Sequence, residues 1–412
     1  MTKRLISLIM AVTMVVMLLP AVALATQEGI AITNQAGLRK VLTSGNGGSY
    51  YLTRDITDFA GTGIVVASGA YTLDLSGHTI SGYTDGVNPL ISVDGGSLTV
   101  KDSVGGGTME QKPNDAGKYA DPVGANGGSL TISGGTYKGA YGTWCEAGTT
   151  VISGGTFKAD TYAVAAHGGN VTINGGTFTV NNDWNGEAAT VLCVSPKDVK
   201  LTINGGTFKA QGSDEIVALC VAGGSCVVSG GTFTSAGYDA ASHLGGNLAV
   251  NGGTFTGAAY GLLSASCYGN ASLLLCGGRF SGGVAGLALG DKDVTGAGYA
   301  ISPSTLNEQD INGESFYLSG SAVSVVMDDA SGKRPYRAGQ FKDVNESAWY
   351  GLYGAQTVSG VWENRLMDGV SADRFGVGSN LTVAQALVVA DKINCMYRTG
   401  EEPVYKANSS AP

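Results

Sequence analysis

A short phrase recurs along the chain, and its pattern constrains the fold more than any other feature. It alternates apolar and polar residues, passes through Ser or Asn and a Gly-Gly pair, and ends in Thr and an aromatic residue, as at 130–137 and 201–208. The first glycines of eight copies lie at positions 106, 134, 154, 175, 205, 230, 252 and 277, so one repeat spans 20 to 30 residues. Alternation is typical of a strand, and Gly-Gly permits the positive φ of a tight turn. Self-similarity at this period indicates a solenoid or a repeat array.

The repeat predicts one coil of a parallel β-helix. A second apolar run lies between successive phrases, as at 162–166 and 216–221, and no helical pattern separates the two. Two or three short strands per repeat can stack on the next coil about 4.8 Å away. The leucine spacing of a leucine-rich repeat is absent, and a β-propeller needs longer blades with antiparallel pairing. We therefore predict a mainly β fold, a parallel β-helix solenoid followed by a small C-terminal α-helical module.

Stacking of equivalent residues on successive coils predicts ladders inside the solenoid. The predicted aromatic ladder consists of Phe157, Phe178, Phe208, Phe233, Phe255 and Phe280. The predicted aliphatic ladder consists of Ile132, Ile152, Ile173, Ile203, Val228, Val250 and Leu275. Asn174, Asn204 and Asn251 recur at the turn, where amide side chains can hydrogen-bond from coil to coil.

The N-terminal residues predict export. Two basic residues precede an apolar run at 5–19, and Ala23-Leu24-Ala25 supplies the small residues of a cleavage site. The run is short for a membrane-spanning helix. We therefore predict a signal peptide at 1–25 in preference to an uncleaved anchor, and no membrane partner after its removal.

The chain divides into segments on these patterns. An amphipathic helix at 34–44, with Asn34 as N-cap, is predicted to cover the open first coil. The Gly-Gly phrase has ended by Asp329. The predicted segments are the signal peptide 1–25, an N-terminal capping segment 26–46, the parallel β-helix 47–329, a linker 330–340, the helical module 341–398 and a flexible tail 399–412.

Strands at 48–56 and 71–80 extend the pattern towards the N-terminus. From about Ser49 to Val326 the chain resembles the right-handed β-helix group, the pectin-lyase-like fold. The resemblance implies a right-handed parallel β-helix solenoid. It also implies an alternative function, a polysaccharide lyase or glycoside hydrolase, which the fold alone does not decide.

Residues for such chemistry are sparse. No arginine lies between Arg54 and Arg279, and most lysines in that stretch are predicted in turns and loops. The aspartates there are scattered and are predicted to be solvated turn residues, so no pair of carboxylates is set for glycoside hydrolysis. These aspartates are Asp74, Asp94, Asp102, Asp160, Asp183 and Asp239. We predict no catalytic residue, no metal site and no cofactor.

The seven cysteines are predicted to be mostly buried free thiols that act as small hydrophobic residues, because most lie in apolar runs. An exported protein could instead form disulfides. No C-x-x-C spacing indicates zinc. His78, His167 and His243 lie near glycines and are not predicted to bind metal or to act in catalysis.

A polar loop in the longest repeat is the predicted glycan-binding site. The 30-residue step between the glycine pairs at 175 and 205 contains a tryptophan among amides and carboxylates. Such a side chain suits stacking on a sugar ring. The candidate residues are Asn182, Asp183, Trp184, Asn185 and Glu187, with Trp144 as a second candidate. The alternative is a loop tryptophan folded back over the coil.

The C-terminal segment carries a different set of motifs. In order, they are Phe341-Lys-Asp-Val344, Ala348-Trp-Tyr350, Leu366-Met-Asp-Gly369, Phe375 and Thr382-Val-Ala-Gln385. Over residues 341–398 the chain resembles an S-layer homology module, a helical module that usually occurs three times in tandem. The resemblance implies non-covalent binding of cell-wall polysaccharide through Trp349, Gly369, Thr382 and Gln385. Val383 and Gln385 replace the Arg and Glu of the family motif. Only one copy is present, so either three chains supply the three copies as a homotrimer or the anchor is degenerate.

The last helix has a clear start signal. Thr382 as N-cap and Gln385 at N3 have the spacing of a capping box. An apolar stripe follows at helical spacing. It consists of Val383, Ala386, Leu387, Ala390 and Ile393.

The net charge of −9 argues against a nucleic-acid partner. Export, solenoid and tail together predict a secreted cell-surface protein of a Gram-positive-type bacterium, with a stalk or glycan-binding solenoid tethered to the cell wall. The further alternative is an adhesin that binds a host surface protein without turnover.

Overall fold

The computed structural model describes residues 29–86, 88–113, 121–181, 188–194, 199–212, 215–265, 271–296, 298–311, 313–328, 334–337, 339–344 and 358–399. This part of the chain is mainly β, with a parallel solenoid of about nine turns and a small helical part at its C-terminal end. The predicted fold class is confirmed. The signal-peptide prediction at 1–25 lies outside the described residues.

Thirty strands and three helices form within these residues. The strands are β1 (Ile30–Ile32), β2 (Gly48–Leu52), β3 (Ile56–Phe59), β4 (Ile64–Val66), β5 (Ala70–Asp74), β6 (Thr79–Gly82), β7 (Ile91–Val93), β8 (Ser97–Lys101), β9 (Thr108–Gln111), β10 (Val123–Ile132), β11 (Thr136–Tyr141), β12 (Thr143–Ile152), β13 (Thr156–Ala166), β14 (Asn170–Ile173), β15 (Thr177–Asn181), β16 (Ala188–Cys193), β17 (Lys200–Ile203), β18 (Thr207–Gln211), β19 (Ile216–Val228), β20 (Thr232–Ser235), β21 (Ala241–Val250), β22 (Thr254–Gly257), β23 (Tyr260–Ser264), β24 (Ala271–Leu275), β25 (Arg279–Gly282), β26 (Ala285–Leu289), β27 (Tyr299–Ser302), β28 (Asn307–Ile311), β29 (Glu314–Leu318) and β30 (Ala322–Met327). The helices are α1 (Gln35–Leu42), α2 (Val358–Glu363) and α3 (Val383–Thr399).

Each coil contributes to three faces. The first face carries the strand before the Gly-Gly turn, as in β14, β17 and the end of β19. The second face carries the aromatic strand, as in β15, β18 and β20. The third face carries the next apolar run, as in β16, the start of β19 and the start of β21. Strands pair in parallel with their equivalents one coil later, so equivalent residues lie in register.

Both predicted apolar ladders are confirmed. Six phenylalanines, preceded by Tyr137, stack with ring centroids 4.5 to 5.0 Å apart and planes within 15° of parallel. All seven residues of the aliphatic ladder are buried on the inner side of the first face. The turn glycines allow this packing: Gly176 has a φ of +117°, and a Cβ there would lie 3.1 Å from the Phe178 ring. The ladders are the core of the solenoid.

The amide ladder forms only in part. Asn204 Nδ2 donates a hydrogen bond of 2.8 Å to Asn174 Oδ1 one coil away. Ser229 occupies the same position in the next coil, between Asn204 and Asn251. The predicted coil-to-coil amide bond is therefore confirmed for the first two asparagines, and the third lies too far along the axis to join them.

The N-terminal helix covers the open edge of the first coil, as predicted. Asn34 Oδ1 accepts the N–H of Gly37, and Leu38 and Leu42 are fully buried. Gln35 exchanges two hydrogen bonds with the backbone of Ala60. The neighbouring Arg39 donates to the carbonyl oxygens of residues 62 and 63. These side chains pair backbone groups that a missing coil would otherwise leave open. Strand β1 precedes the helix and pairs with β2, so the sheet already begins inside the predicted capping segment.

Antiparallel strands cover the other end. β30 pairs with β25 and β27, and β29 pairs with β26 and β28. The exposed edge strand β28 has the sequence Asn-Glu-Gln-Asp-Ile. Charged residues on an edge discourage pairing with a second chain.

The C-terminal segment packs on the outside of the first face. Outward positions on this face are mostly threonine in earlier coils, as at Thr172 and Thr202, and become Val227, Ala249 and Leu274 in later ones. Tyr336, Phe341, Val358 and Phe375 bury against that apolar patch. Tyr336, which belongs to the predicted linker, is thus a core residue of this contact. No helix among the described residues is long and apolar enough to cross a bilayer.

Candidate functional site

Four side chains form an aromatic cluster on the outer surface of the third face. Trp144 stacks on the His167 ring at a centroid distance of 4.0 Å and meets Tyr141 edge-on at 5.0 Å. Tyr141 stacks on Tyr162 of the next coil at 5.8 Å. All four are half-buried, so one side of the cluster is open to solvent. We call Tyr141, Trp144, Tyr162 and His167 the aromatic platform.

A buried carboxyl group on the inner side of the platform holds the backbone of Trp144. Asp121 is 4% exposed, and its Oδ2 accepts the backbone N–H of Trp144 at 3.2 Å. Burial raises the pKa of Asp121 to about 7. On the outer side, the indole Nε1–H of Trp144 donates to Glu146 Oε2 at 3.3 Å. The tryptophan is therefore oriented at its backbone and at its ring.

The outer surface continues from the platform along the solenoid axis. Equivalent third-face strands follow one another through six coils, β12, β13, β16, β19, β21 and β23. A cavity of about 170 Å³ opens on this surface, lined by Tyr162, Leu192, Cys220, Tyr238 and Leu263 among others. We call this surface, from the platform to Leu263, the axial strip.

A second buried carboxyl group lies at the same corner five coils further on. Asp239 is fully buried, accepts the N–H of Tyr260 at 3.3 Å and interacts with the Ser242 hydroxyl at 3.2 Å. Burial, with a contribution from the charge of Glu215, raises its pKa to about 7. Asp121 and Asp239 each lie two residues before a third-face strand. The prediction that Asp239 is a solvated turn residue is wrong, because the corner N–H requires a buried acceptor.

Two other aspartates also close turns. Asp74 Oδ1 accepts the N–H groups of Ser76 and Ser103, and its carboxylate pairs with Lys101 at 3.4 Å. The solvated-turn prediction is therefore wrong for Asp74, which is 3% exposed. Asp102 is half-buried and accepts the N–H groups of Gly77 and Gly107. Asp94 and Asp160 are exposed, and Asp183 lies outside the described residues.

A basic groove lies on the outer side of the second face. Its volume is about 310 Å³, and its lining includes Lys112, Lys138, Lys158, Asp160 and Asn181. Lys138 and Lys158 lie within strands β11 and β13. The placement of most lysines in turns and loops is thus wrong, because the strand continues beyond the aromatic residue and its outward positions carry lysine.

The predicted glycan loop lies next to this groove in sequence. Asn182, Asp183, Trp184, Asn185 and Glu187 lie outside the described residues. Asn181, the last residue before them, lines the groove. The second candidate, Trp144, belongs to the aromatic platform on the adjacent face.

Cys145, Cys193, Cys226 and Cys395 are free thiols. Cys145, Cys193, Cys226 and Cys276 are buried, whereas Cys220 and Cys395 are half-buried; Cys267 lies outside the described residues. Burial raises the pKa of Cys145, Cys193 and Cys226, so these thiols stay protonated. His243 is buried between the Ser264 hydroxyl and the Gly246 carbonyl oxygen, which is a packing role. Within the described ranges, no three His, Cys, Asp or Glu side chains group as a metal site requires.

The C-terminal segment encloses a separate apolar cleft of about 630 Å³. Two residues implied by the S-layer resemblance, Gly369 and Gln385, both line it, together with Met367 and Phe375. Thr382 lies at the start of α3, where the predicted capping box is present: Gln385 N–H donates to Thr382 Oγ1 at 3.2 Å, and Thr382 N–H donates to Gln385 Oε1 at 2.9 Å. Trp349, the fourth implied residue, lies outside the described residues.

The predicted apolar stripe of α3 forms on the helix, and its residues are exposed. Val383 is 78% exposed and Leu387 is 65% exposed. Val388 and Val389, on a neighbouring side of the helix, line the cleft instead. The stripe is therefore open to solvent within the described structure.

No protein-family model, no curated protein and no solved structure matches the chain. The class is therefore defined by the fold itself, a parallel β-solenoid with a small helical C-terminal part. Within that class, this chain is distinguished by an aromatic platform on the third face, a basic groove on the second and an apolar cleft in the C-terminal segment.

Proposed function

We propose that this is an exported bacterial cell-surface protein whose solenoid binds a glycan on the axial strip and whose C-terminal segment tethers it to cell-wall polysaccharide. The observation that carries the proposal is the aromatic platform. Three large rings and a histidine are held half-exposed on a rigid sheet, with Glu146 beside them. Aromatic faces stack on the apolar faces of sugar rings, and carboxylates accept the hydrogen bonds of sugar hydroxyls.

The shape of the strip favours a linear glycan parallel to the solenoid axis. Six coils at about 4.8 Å spacing make a surface of roughly 24 Å. Tyr141 and Trp144 lie at one end, and Tyr238 and Leu263 line the cavity towards the other. A chain of several sugar units would contact both ends at once.

Binding without turnover accounts for the two buried carboxyl groups better than catalysis does. Asp121 and Asp239 hold backbone N–H groups at corners and do not line the cavity of the strip. The alternatives are a lyase or hydrolase of the same fold and an adhesin for a host protein. Release of unsaturated sugars or new reducing ends from the bound glycan would favour the enzyme.

Replacing Trp144 with alanine should weaken glycan binding by about tenfold or more, because an aromatic residue that anchors a ligand contributes about 2 kcal/mol or more. A glycan array with the mature protein identifies the ligand, and titration calorimetry then compares the variants. Tyr51→Ala is the matched control, since Tyr51 is a half-buried tyrosine on the first face. Equal binding by wild type and Trp144→Ala, with both folded, would contradict the platform as the site.

Tethering is the second part of the proposal. It is supported by the resemblance of 341–398 to an S-layer homology module and by the shared cleft of Gly369 and Gln385. Because this segment packs on the solenoid, the whole mature chain is the proper material for a test.

The double change Val383→Arg and Gln385→Glu should increase the fraction of protein that sediments with purified cell walls. Val383 is exposed, so arginine fits there, and glutamate keeps the oxygen that caps the helix. A charged hydrogen bond contributes about 1.5–3 kcal/mol, which corresponds to roughly tenfold or more in affinity. Leu387→Arg adds the same charge one turn later and should have no such effect. Unchanged sedimentation of the double variant with cell walls, or equal gains in the double variant and in Leu387→Arg, would show that the motif does not bind the wall.

A further inference from the structure

The basic groove concentrates like charges on a chain that is acidic overall. Lys138 and Lys158 are register partners on adjacent strands of the second face, and Lys112 lines the same groove. Strands in a sheet lie about 4.8 Å apart, and like charges opposite each other are unfavourable. The chain as a whole has a net charge of −9. A bound anion would relieve this repulsion.

Two acidic residues accompany the three lysines in the groove, which leaves an excess of positive charge. Glu110 is the register partner of Lys138, and Asp160 also lines the groove. Even so, neither Lys138 nor Lys158 forms an ion pair with any residue in the part of the chain that the structure describes. Their ammonium groups are therefore available to a ligand.

The rest of the groove offers hydrogen-bonding groups to a sugar. Thr179 supplies a hydroxyl group, and Asn181 supplies an amide that both donates and accepts. The volume of about 310 Å³ is at the lower end of the range for small-molecule sites. One or two sugar units suit it better than a folded partner.

We infer that the groove formed by Lys112, Lys138, Lys158, Thr179 and Asn181 is a second binding site, specific for a saccharide that carries an anionic group. The group is a carboxylate or a phosphate ester, and the lysines contact it while the amide and hydroxyl contact the ring. This site lies on a different face from the aromatic platform and does not depend on it. A glycan with acidic and neutral units could use both.

Three matched monosaccharides test the inference: glucuronate, glucose 6-phosphate and glucose. Ligand-observed NMR with the mature protein at low salt should show binding of at least one anionic sugar, while glucose does not bind. Comparison of glucuronate with glucose 6-phosphate identifies the anionic group. Binding should weaken at least fivefold when salt rises from about 20 to 200 mM, because the contacts are ionic.

The matched variants are Lys158→Gln and Lys209→Gln. Lys209 lies outward on the same face, in register with Thr179, and does not line the groove. Lys158→Gln should weaken anionic-sugar binding at least tenfold, and Lys209→Gln should leave it unchanged. Trp144→Ala should also leave it unchanged, which separates this site from the platform. Absence of anionic-sugar binding, equal binding of glucose, or equal losses in both lysine variants would overturn the inference.

Discussion

Replacing Phe208 with alanine is expected to destabilise the solenoid by about 3–5 kcal/mol, the usual cost of removing a fully buried phenylalanine. Phe208 is fully buried, and its ring stacks between Phe178 at 4.8 Å and Phe233 at 4.5 Å. The loss therefore opens a cavity in the middle of the ladder and removes two ring contacts. Urea denaturation followed by far-UV circular dichroism measures the change in the unfolding midpoint.

Thr207→Ala is the control for this prediction. Thr207 precedes Phe208 on the same strand but points outward, where substitutions usually change stability by less than about 0.5 kcal/mol. A small effect of Phe208→Ala, similar to that of the control, would mean that the rings do not form a packed core.

The stability of the protein should fall as the pH rises from about 4 to 7, and Asp121 and Asp239 should be responsible for part of the fall. Burial raises the pKa of both carboxyl groups to about 7, above the value of 3.8 for an exposed aspartate. Between these values the folded state keeps protons that the unfolded state has lost, so stability decreases with pH until both groups ionise. At about 1.4 kcal/mol per pKa unit, each group can account for up to about 4 kcal/mol.

The double variant Asp121→Asn and Asp239→Asn isolates this contribution. Asparagine keeps an oxygen for the N–H groups of Trp144 and Tyr260 but does not ionise. Compared with wild type, the variant should gain stability between pH 5 and 8, while Asp58→Asn, at an exposed position, should not. Parallel pH profiles of wild type and double variant, from denaturation midpoints, would show that the two carboxyl groups ionise normally.

The ladders could be predicted because each inward residue of a solenoid contacts the equivalent residues of the neighbouring coils. A residue such as Phe178 meets its equivalents one repeat before and after, so the spacing of the Gly-Gly phrase fixes the partners. The starts of α1 and α3 were also predictable, because the caps at Asn34 and Thr382 bond within three residues along the chain. These features need only the sequence and the repeat.

The sites needed information that the repeat does not contain. The platform joins Trp144 to His167, which belong to different coils and share no motif. Asp121 precedes its third-face strand without any phrase to mark it, and its importance comes from burial. Lys138 and Lys158 lie in strands and not in the predicted turns and loops, because strand ends are the least certain part of a sequence pattern.

The packing of the C-terminal segment on the solenoid also could not be predicted from the repeat. The change from threonine to Val227, Ala249 and Leu274 on the first face is visible in the sequence. What covers these residues is decided by Tyr336 and Phe341, which lie far along the chain. Contacts between a repeat and a non-repeating segment leave no period to detect.

Radical footprinting of aromatic side chains tests most directly the claim that the axial strip binds a glycan. The mature protein is oxidised with and without the glycan selected on the array, and modified residues are located by mass spectrometry. We expect Tyr141, Trp144 and Tyr162 to lose reactivity on glycan binding, while Tyr51 on the first face keeps its reactivity. Unchanged reactivity of the platform, with protection at another surface, would contradict the claim.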